Sequence, residues 1–271
     1  VGLLDSVLTG RVALPPRVML YGTHGIGKST FGASATGAIM IPTEDGLNEI
    51  GCARFPLAKS IADVFNAIGA LYTEKHNYQV AVIDTADWCE RLIWDAVCQA
   101  NSVKNIEDIG YAKGYKFALT YWQDLLDGLD ALRNEKGMAI LMLAHSHIEK
   151  FENPETESYD RYTPRLHKSA NALLQEWVDA VLFANYRVFT READEGFGRK
   201  KQRGIGDGER IIRTSERPSH LAKNRYSLPA ELPMSWDALV AAITANANDT
   251  PAADKPKAKA PTKDKPKADT K

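Results

Sequence analysis

The sequence predicts an α/β fold: an open, mostly parallel sheet flanked by helices and ending in a C-terminal antiparallel hairpin. Three observations predict it. Short apolar runs without polar alternation recur between residues 17 and 184, the pattern of strands covered on both faces. Amphipathic helical patterns separate them, and repeated strand–helix alternation marks an open α/β sheet. The first run leads directly into a glycine-rich segment that precedes a helix.

The runs are Arg17–Tyr21, Ala38–Ile41, Val80–Ile83, Ala139–Leu143 and Ala180–Ala184. Between them, Ile61, Val64, Phe65, Ile68 and Leu71 share one helical face, with Ser60 placed to cap it. A second helix follows Thr85, with Trp88, Leu92, Ala96 and Val97 at helical spacing. A third spans about Lys116 to Lys136 and carries Trp122, Leu125, Leu129 and Leu132. Tyr186–Thr190 and Arg210–Thr214 read as two arms of a hairpin. The segment between them holds Gly196, Gly198, Gly204, Gly206 and Gly208. A last helix is expected from Ser235 through Trp236, Leu239, Val240 and Ile243.

At 271 residues and 29.9 kDa, with 44% apolar and 25% charged residues, the chain can bury a core and stay soluble. No apolar run of about eighteen residues is present, so no membrane span is expected. Val1–Asp5 shows no basic segment before an apolar stretch, so no secretory leader is expected. Cys52, Cys89 and Cys98 fit neither a disulfide framework nor a zinc site, which points to a reducing cytoplasm. The net charge of −1 hides an asymmetry: Pro251–Lys271 carries +4 and the preceding 250 residues −5. Composition therefore does not announce a nucleic-acid binder, and any basic surface must be local. The division expected is a core over residues 1–246 and a disordered Lys/Pro/Ala-rich tail over 247–271, which has too little apolar surface to offset ordering. The tail is either a solvated extension or a weak anchor for an acidic partner.

Gly22-Thr23-His24-Gly25-Ile26-Gly27-Lys28-Ser29 fits G-x-x-x-x-G-K-[ST] and lies directly after the first strand and before the small-residue stretch Thr30–Ala38. Its glycines let backbone N–H groups turn toward phosphate oxygens. Lys28 would reach the β- and γ-phosphates, Ser29 would bind Mg²⁺, and His24 fills a variable loop position. Asp84, at the end of Val80–Ile83, would hold Mg²⁺ beside the phosphates. It is also placed to cap the following helix. Asp84 is followed by Thr85, where an AAA+ ATPase usually has its catalytic Glu. The carboxylate that orients water must then come from elsewhere, and Glu44, at the C-terminal edge of the second strand, is the candidate.

At Glu44 the chain resembles RecA-like ATPases. With Ile41–Gly46, Gly110–Tyr115, Leu143–Ser146 and Ala222–Tyr226 it looks like the phage-encoded, core-only RecA-like ATP-binding proteins, some of them single-strand annealing recombination proteins. The resemblance covers roughly Pro16 to Pro233, and its most specific motif is the phosphate loop. It implies a RecA-like P-loop core using ATP and Mg²⁺, with His145 or Ser146 sensing the γ-phosphate. It also implies that Lys223 and Arg225 reach a neighbouring subunit's nucleotide, in a homo-oligomer or filament in the bacterial cytoplasm. Each of these residues also has a plainer reading, as a strand end or a solvated surface pair.

The resemblance further implies single-stranded DNA contact by the segments after the third and fourth strands. The first, Asn101–Lys116, offers Lys113, Tyr115 and Lys116; the second, His147–Lys168, offers Phe151, Arg161, Tyr162 and Arg165. Aromatics among cations suit stacking and phosphate contact. The second segment also carries Glu149, Glu152, Glu155, Glu157 and Asp160, which opposes electrostatic binding; a mobile lid is its other reading. A third patch is Arg199, Lys200, Lys201 and Arg203 in the hairpin, which also reads as a solvated turn. The expectation is a DNA-stimulated ATPase of recombination or replication, with a single-stranded DNA-binding protein as one possible partner. The rivals are a nucleotide or small-molecule kinase with a basic lid over Arg187–Arg213, and an ATP-switched annealing or loading module with little turnover.

Overall fold

A computed structural model describes residues 3–7, 13–155, 157–194 and 200–248. The parallel core consists of β1 (Arg17–Gly22), β2 (Ala38–Pro42), β3 (Val80–Asp84), the first part of β4 (Ala139–Phe151) and the first part of β6 (Ala180–Asp194). Their order is β2-β3-β4-β1-β6. On the β6 side follow β7 (Lys200–Arg213) and β9 (Glu231–Pro233), both antiparallel to their neighbours. β5 (Tyr159–Pro164) pairs with the outer part of β4, and β8 (Lys223–Asn224) with the start of β6. The mostly parallel, helix-flanked sheet with antiparallel strands toward the C-terminus is the fold class the sequence predicts.

Side-chain alternation along each strand splits the core into two layers. Met19, Tyr21, Ile39, Ile41, Ala81, Ile83, Ile140 and Met142 face α2 (Ile61–Thr73), α3 (Ala86–Ala100), α4 (Lys113–Lys136) and α5 (Lys168–Trp177). Val18, Leu20, Met40, Val82, Leu141, Leu143 and Leu182 face α1 (Lys28–Ala33) and α6 (Trp236–Asn248). Both faces are covered, so both parities of each strand must be apolar. α2 begins as its sequence predicts: Ser60 accepts the Asp63 N–H, and the Asp63 carboxylate accepts the Ser60 N–H at 2.9 Å. Trp122, Leu125, Leu129 and Leu132 of α4 are buried, though the helix starts at Lys113 rather than near Lys116.

Two segments depart from expectation. His147–Lys168 is not a long loop: β4 continues to Phe151 and returns as β5, in register from Ser146↔Pro164 to Phe151↔Tyr159. The root of this arm packs on the core, but its outer part is solvent-facing, with Ile148 59% exposed, so no apolar alternation marks it in the sequence. Its rings pack on each other instead: Phe151 lies 5.5 Å from Tyr159, with the Arg161 guanidinium 3.8 Å above Phe151. The second departure is in the hairpin. The fifth apolar run and the first hairpin arm form one strand, β6, and Gly204, Gly206 and Gly208 lie in β7 rather than in the tip. The tip, with Gly196, Gly198 and Arg199, lies outside the described residues, as does the tail beyond Asn248. No helix among the described residues is long and apolar enough to cross a membrane.

The junction of β1 with the phosphate loop leaves no room for a side chain. A Cβ on Gly22 would lie 2.5 Å from the Ala184 carbonyl oxygen of β6. Gly22→Ala is therefore expected to lower unfolding stability by ~1–3 kcal/mol, through forced displacement of a packed strand. Urea denaturation of the two chains checks this.

Candidate functional site

Parallel strands deliver their C-terminal residues to one edge of the sheet, and the strand order decides which meet. β4 lies between β1 and β3, so His145 is registered beside Gly22 while Leu143 pairs with Asp84. β2 lies outside β3, and its end is tied inward: the N–H groups of Thr43 and Glu44 donate to the Asp84 carbonyl at 2.8 and 3.4 Å. The Thr43 hydroxyl donates to the Thr85 carbonyl at 2.7 Å. Gly22–Ser29, Glu44, Asp84 and His145, named from sequence, thus come to one edge.

The loop itself is built around two left-handed glycines, Gly25 (φ 73°) and Gly27 (φ 98°), a conformation costly for any residue with a Cβ. Ile26 anchors it in the core, fully buried. Lys28 is also buried, and its ammonium donates to the carbonyls of Gly22 and Thr23 at 3.1 Å each. Burial lowers its pKa, against the pull of Asp87, Glu44 and Asp84. The N–H groups of Lys28, Ser29 and Thr30, at the start of α1, have no carbonyl one turn earlier to pair with.

Two carboxylates face this loop. Burial raises the pKa of Asp84, while the Ser29 hydroxyl and the Lys28 charge draw it back. Its Oδ1 is buried without a hydrogen-bond partner. Burial also raises Glu44, against the attraction of His145. No group of three His, Cys, Asp or Glu side chains among the described residues forms a ready-made metal cage. One orphaned carboxylate oxygen beside a serine hydroxyl fits Mg²⁺, which usually keeps several waters and takes the rest of its shell from phosphates.

Behind this row lies a network that sequence reading missed. Asp87, in the first turn of α3, is buried and accepts the His145 backbone N–H at 3.0 Å. His145 Nδ1 lies 3.1 Å from Asp87 Oδ2, and Arg165 donates through Nε to the same oxygen at 3.1 Å. Burial would raise the Asp87 carboxyl, but the His145 and Arg165 hydrogen bonds hold it well below the usual range. The opposite edge of the His145 ring, Nε2, lies 3.8 Å from Glu44 Oε1. The ring stacks on His24 at 4.1 Å, so the loop position that reads as filler touches the sensor candidate. The charge of His145, then burial, lowers the His24 pKa. Arg210 of β7, read from sequence only as part of a hairpin arm or of the rival basic lid, also comes to the loop: its Nη1 lies 3.4 Å from the Ile26 carbonyl oxygen.

Other sequence-predicted residues lie elsewhere. Lys223 and Arg225 sit at the opposite end of the sheet, where Lys223 pairs with Val181 at the start of β6. The Lys223 ammonium closes the C-terminus of α5 by donating to the carbonyls of Gln175, Glu176 and Val178, and Arg225 lies 3.6 Å from Asp179. Arg165, expected in a DNA-contacting loop, is engaged by Asp87 instead. Tyr162 stacks on Phe183 at 5.1 Å in the core, and Arg161 pairs with Glu216 at 3.3 Å. Tyr115 lies flat on His167 at 4.0 Å and donates to Glu107 at 3.2 Å. Lys113 and Lys116 are exposed at the start of α4, next to the fully displayed ring of Tyr111 (96%). Lys200, Lys201 and Arg203 lie along β7.

One turn after Asp87, Glu90 is buried and accepts the His167 N–H at 2.9 Å. Burial pushes its pKa up to about 7, with the Asp87 charge adding to the shift and the His167 N–H opposing it. A raised carboxyl pKa means that the folded chain holds this proton more tightly than the unfolded chain. Stability from this group is thus full below the ordinary carboxylate range and is lost as pH rises toward about 7. Glu90→Gln is expected to remove that component. The variant should gain on the native chain by up to ~3 kcal/mol between pH 4.5 and pH 8, read as the difference between their urea unfolding curves.

Residues 14–226 match the model of the AAA domain family. No curated protein matches the chain. Among solved structures, the crystal structure of the RadB recombinase is similar at 15% identity with a TM-score of 0.41, over 77% of this chain and 84% of that one. At position 85 this chain carries Thr, and the carboxylate that faces the phosphate loop beside Asp84 is Glu44. Phosphate loop, strand-end aspartate and a match over most of the chain agree: the protein belongs to the AAA domain family and is a P-loop NTPase.

Proposed function

We propose that the protein is an ATPase that couples Mg–ATP to single-stranded DNA binding in recombination or replication of the phage type. The observation that carries the nucleotide half is the meeting of Lys28, Asp84 and Glu44 at one sheet edge around a loop with left-handed Gly25 and Gly27. Lys28 leaves the two loop carbonyls to pair with phosphate oxygens. Asp84 and Ser29 would hold Mg²⁺, which when bound neutralises charge on the phosphates. Glu44, raised by burial and 3.8 Å from the His145 ring, accepts a hydrogen bond from the attacking water and orients it. His145 lies within reach of the same space and donates or accepts through Nε2.

The DNA half rests on how the arm is rooted. β4 carries His145 at the phosphate edge and continues outward as the β4–β5 arm, and the chain returns from the arm through Arg165 to Asp87. A shift of His145 with nucleotide state therefore reaches the arm through covalent and ionic links. Lys113 and Lys116, with Tyr111 beside them, offer cations and a ring to a single strand. Lys200, Lys201 and Arg203 of β7 are the second candidate contact.

The test is phosphate release from ATP with and without single-stranded DNA. The native chain is expected to be stimulated by DNA. Lys28→Ala should lose nucleotide binding, and Glu44→Gln should bind ATP normally while turnover falls by ~10²-fold or more. Normal turnover in Glu44→Gln removes that residue from the mechanism. A rate indifferent to DNA overturns the coupling and leaves a kinase or an ATP-switched module as the better reading.

A further inference from the structure

We propose that Arg210 is a nucleotide-contacting residue, supplied to the phosphate loop by the antiparallel part of the same chain's sheet. The inference rests on the nucleotide reading above and adds a cation that the loop motif does not contain. Three independent features of the fold lead to it.

The first is proximity. Arg210 Nη1 lies 3.4 Å from the Ile26 carbonyl oxygen, and a Cβ built on Gly27 would meet the same nitrogen at 2.6 Å. The guanidinium therefore lies over the second left-handed glycine of the loop, directly before Lys28. A side chain at position 27 would meet it, so the bare backbone of Gly27, already required by its φ of 98°, also leaves the guanidinium room to lie here.

The second is the sheet face. Arg210 pairs with Tyr186 and, two residues on, Ile212 pairs with Ala184. Ile212 and Ala184 belong to the core layer that contains Ile26 and Phe31. By strand alternation Arg210 and Tyr186 project to that same side, the side of α1. Arg187 and Arg213 have the other parity and are held in a separate ion cluster with Glu209 and Glu231. Arg187 and Arg213 are thus held in a structural cluster, while Arg210 lies at the phosphate loop.

The third is availability. Arg210 is exposed, and among the described residues its guanidinium pairs with no carboxylate; a 3.4 Å contact to one carbonyl uses little of its donor capacity. A planar fork of N–H donors above a phosphate loop matches phosphate oxygens two at a time. Tyr186, opposite on the ladder and 40% exposed, extends the same wall beyond the guanidinium. Lys28 approaches the phosphates from within the loop, and Arg210 from the rim.

The experiment uses the full chain, with equilibrium binding of Mg–ATP and Mg–ADP to the native protein, Arg210→Gln, Arg210→Lys and Arg187→Gln. Thermal unfolding of each variant is run alongside. The expected result is a loss of ATP affinity of about tenfold or more in Arg210→Gln, partial recovery in Arg210→Lys, and native affinity in Arg187→Gln. A second measurement needs no variant: in peptide-resolved phenylglyoxal labelling of the native chain, ATP should slow modification of Arg210 and leave Arg187 unchanged. Native affinity in Arg210→Gln together with unprotected Arg210 overturns this inference while leaving the nucleotide site intact. Failure of the native chain to bind ATP at all overturns the nucleotide reading and this inference with it.

Discussion

A carboxylate taken out of water must have its lone pairs filled from the protein. Asp87 meets that demand with donors from two places apart in the chain: the end of the parallel part of β4, through both backbone and ring of His145, and the residue after β5, through Arg165. The start of α3, the end of the parallel part of β4 and the return of the arm are therefore joined at one atom pair. Removing any donor leaves a buried charge short of a partner, which is the expensive case. The same contact sets the sensor candidate. A carboxylate at Nδ1 favours the proton there, which leaves Nε2 to face Glu44 and the phosphate edge.

That arrangement has meaning only because of where β4 lies. Inserted between β1 and β3, it separates the strand that starts the phosphate loop from the strand that ends in Asp84. His145 then stands in the row between them, with its ring on His24 of the loop. A residue at the end of an edge strand could not touch both. Glu44 does come from an edge strand, and it is brought inward by the two backbone hydrogen bonds onto the Asp84 carbonyl.

What the sequence made legible follows from the kind of force involved. Burial on both faces writes itself as apolar runs, so β1 to β4 and β6 could be read, as could the Ser60 cap, whose partner lies three residues on. The phosphate loop could be read because its backbone geometry demands glycine at fixed spacing. The β4–β5 arm could not, because its outer part buries little: Ile148 and the charged residues beside it carry no periodic signal. Asp87 and Arg165 are 78 residues apart and Ile26 and Arg210 are 184 apart, so neither pair leaves a local mark. In a single sequence a buried ion pair looks like two ordinary surface charges. Arg165 and Lys223 show the same limit from the other side. Both read as free cations, and both are occupied, one by a carboxylate and one by the open carbonyls of a helix end.

The charge balance at the phosphate edge explains why nucleotide and cation should be linked here. Glu44 and Asp84 are both disfavoured as anions by burial, and Asp84 Oδ1 has no donor. A polyphosphate arriving alone would add negative charge beside them, with Lys28 as the nearest compensation inside the loop. A divalent cation held by Asp84 and Ser29 would offset that repulsion. Arg210, as proposed, would add to the same balance from the rim, on β7 rather than on the loop. The buried side of the site has Lys28 as its cation and would gain most from a bound metal, while Arg210 on the antiparallel β7 lies at the exposed side. On the proposed reading, a neutralised site would draw on both, and the position of the C-terminal hairpin would then bear on nucleotide binding.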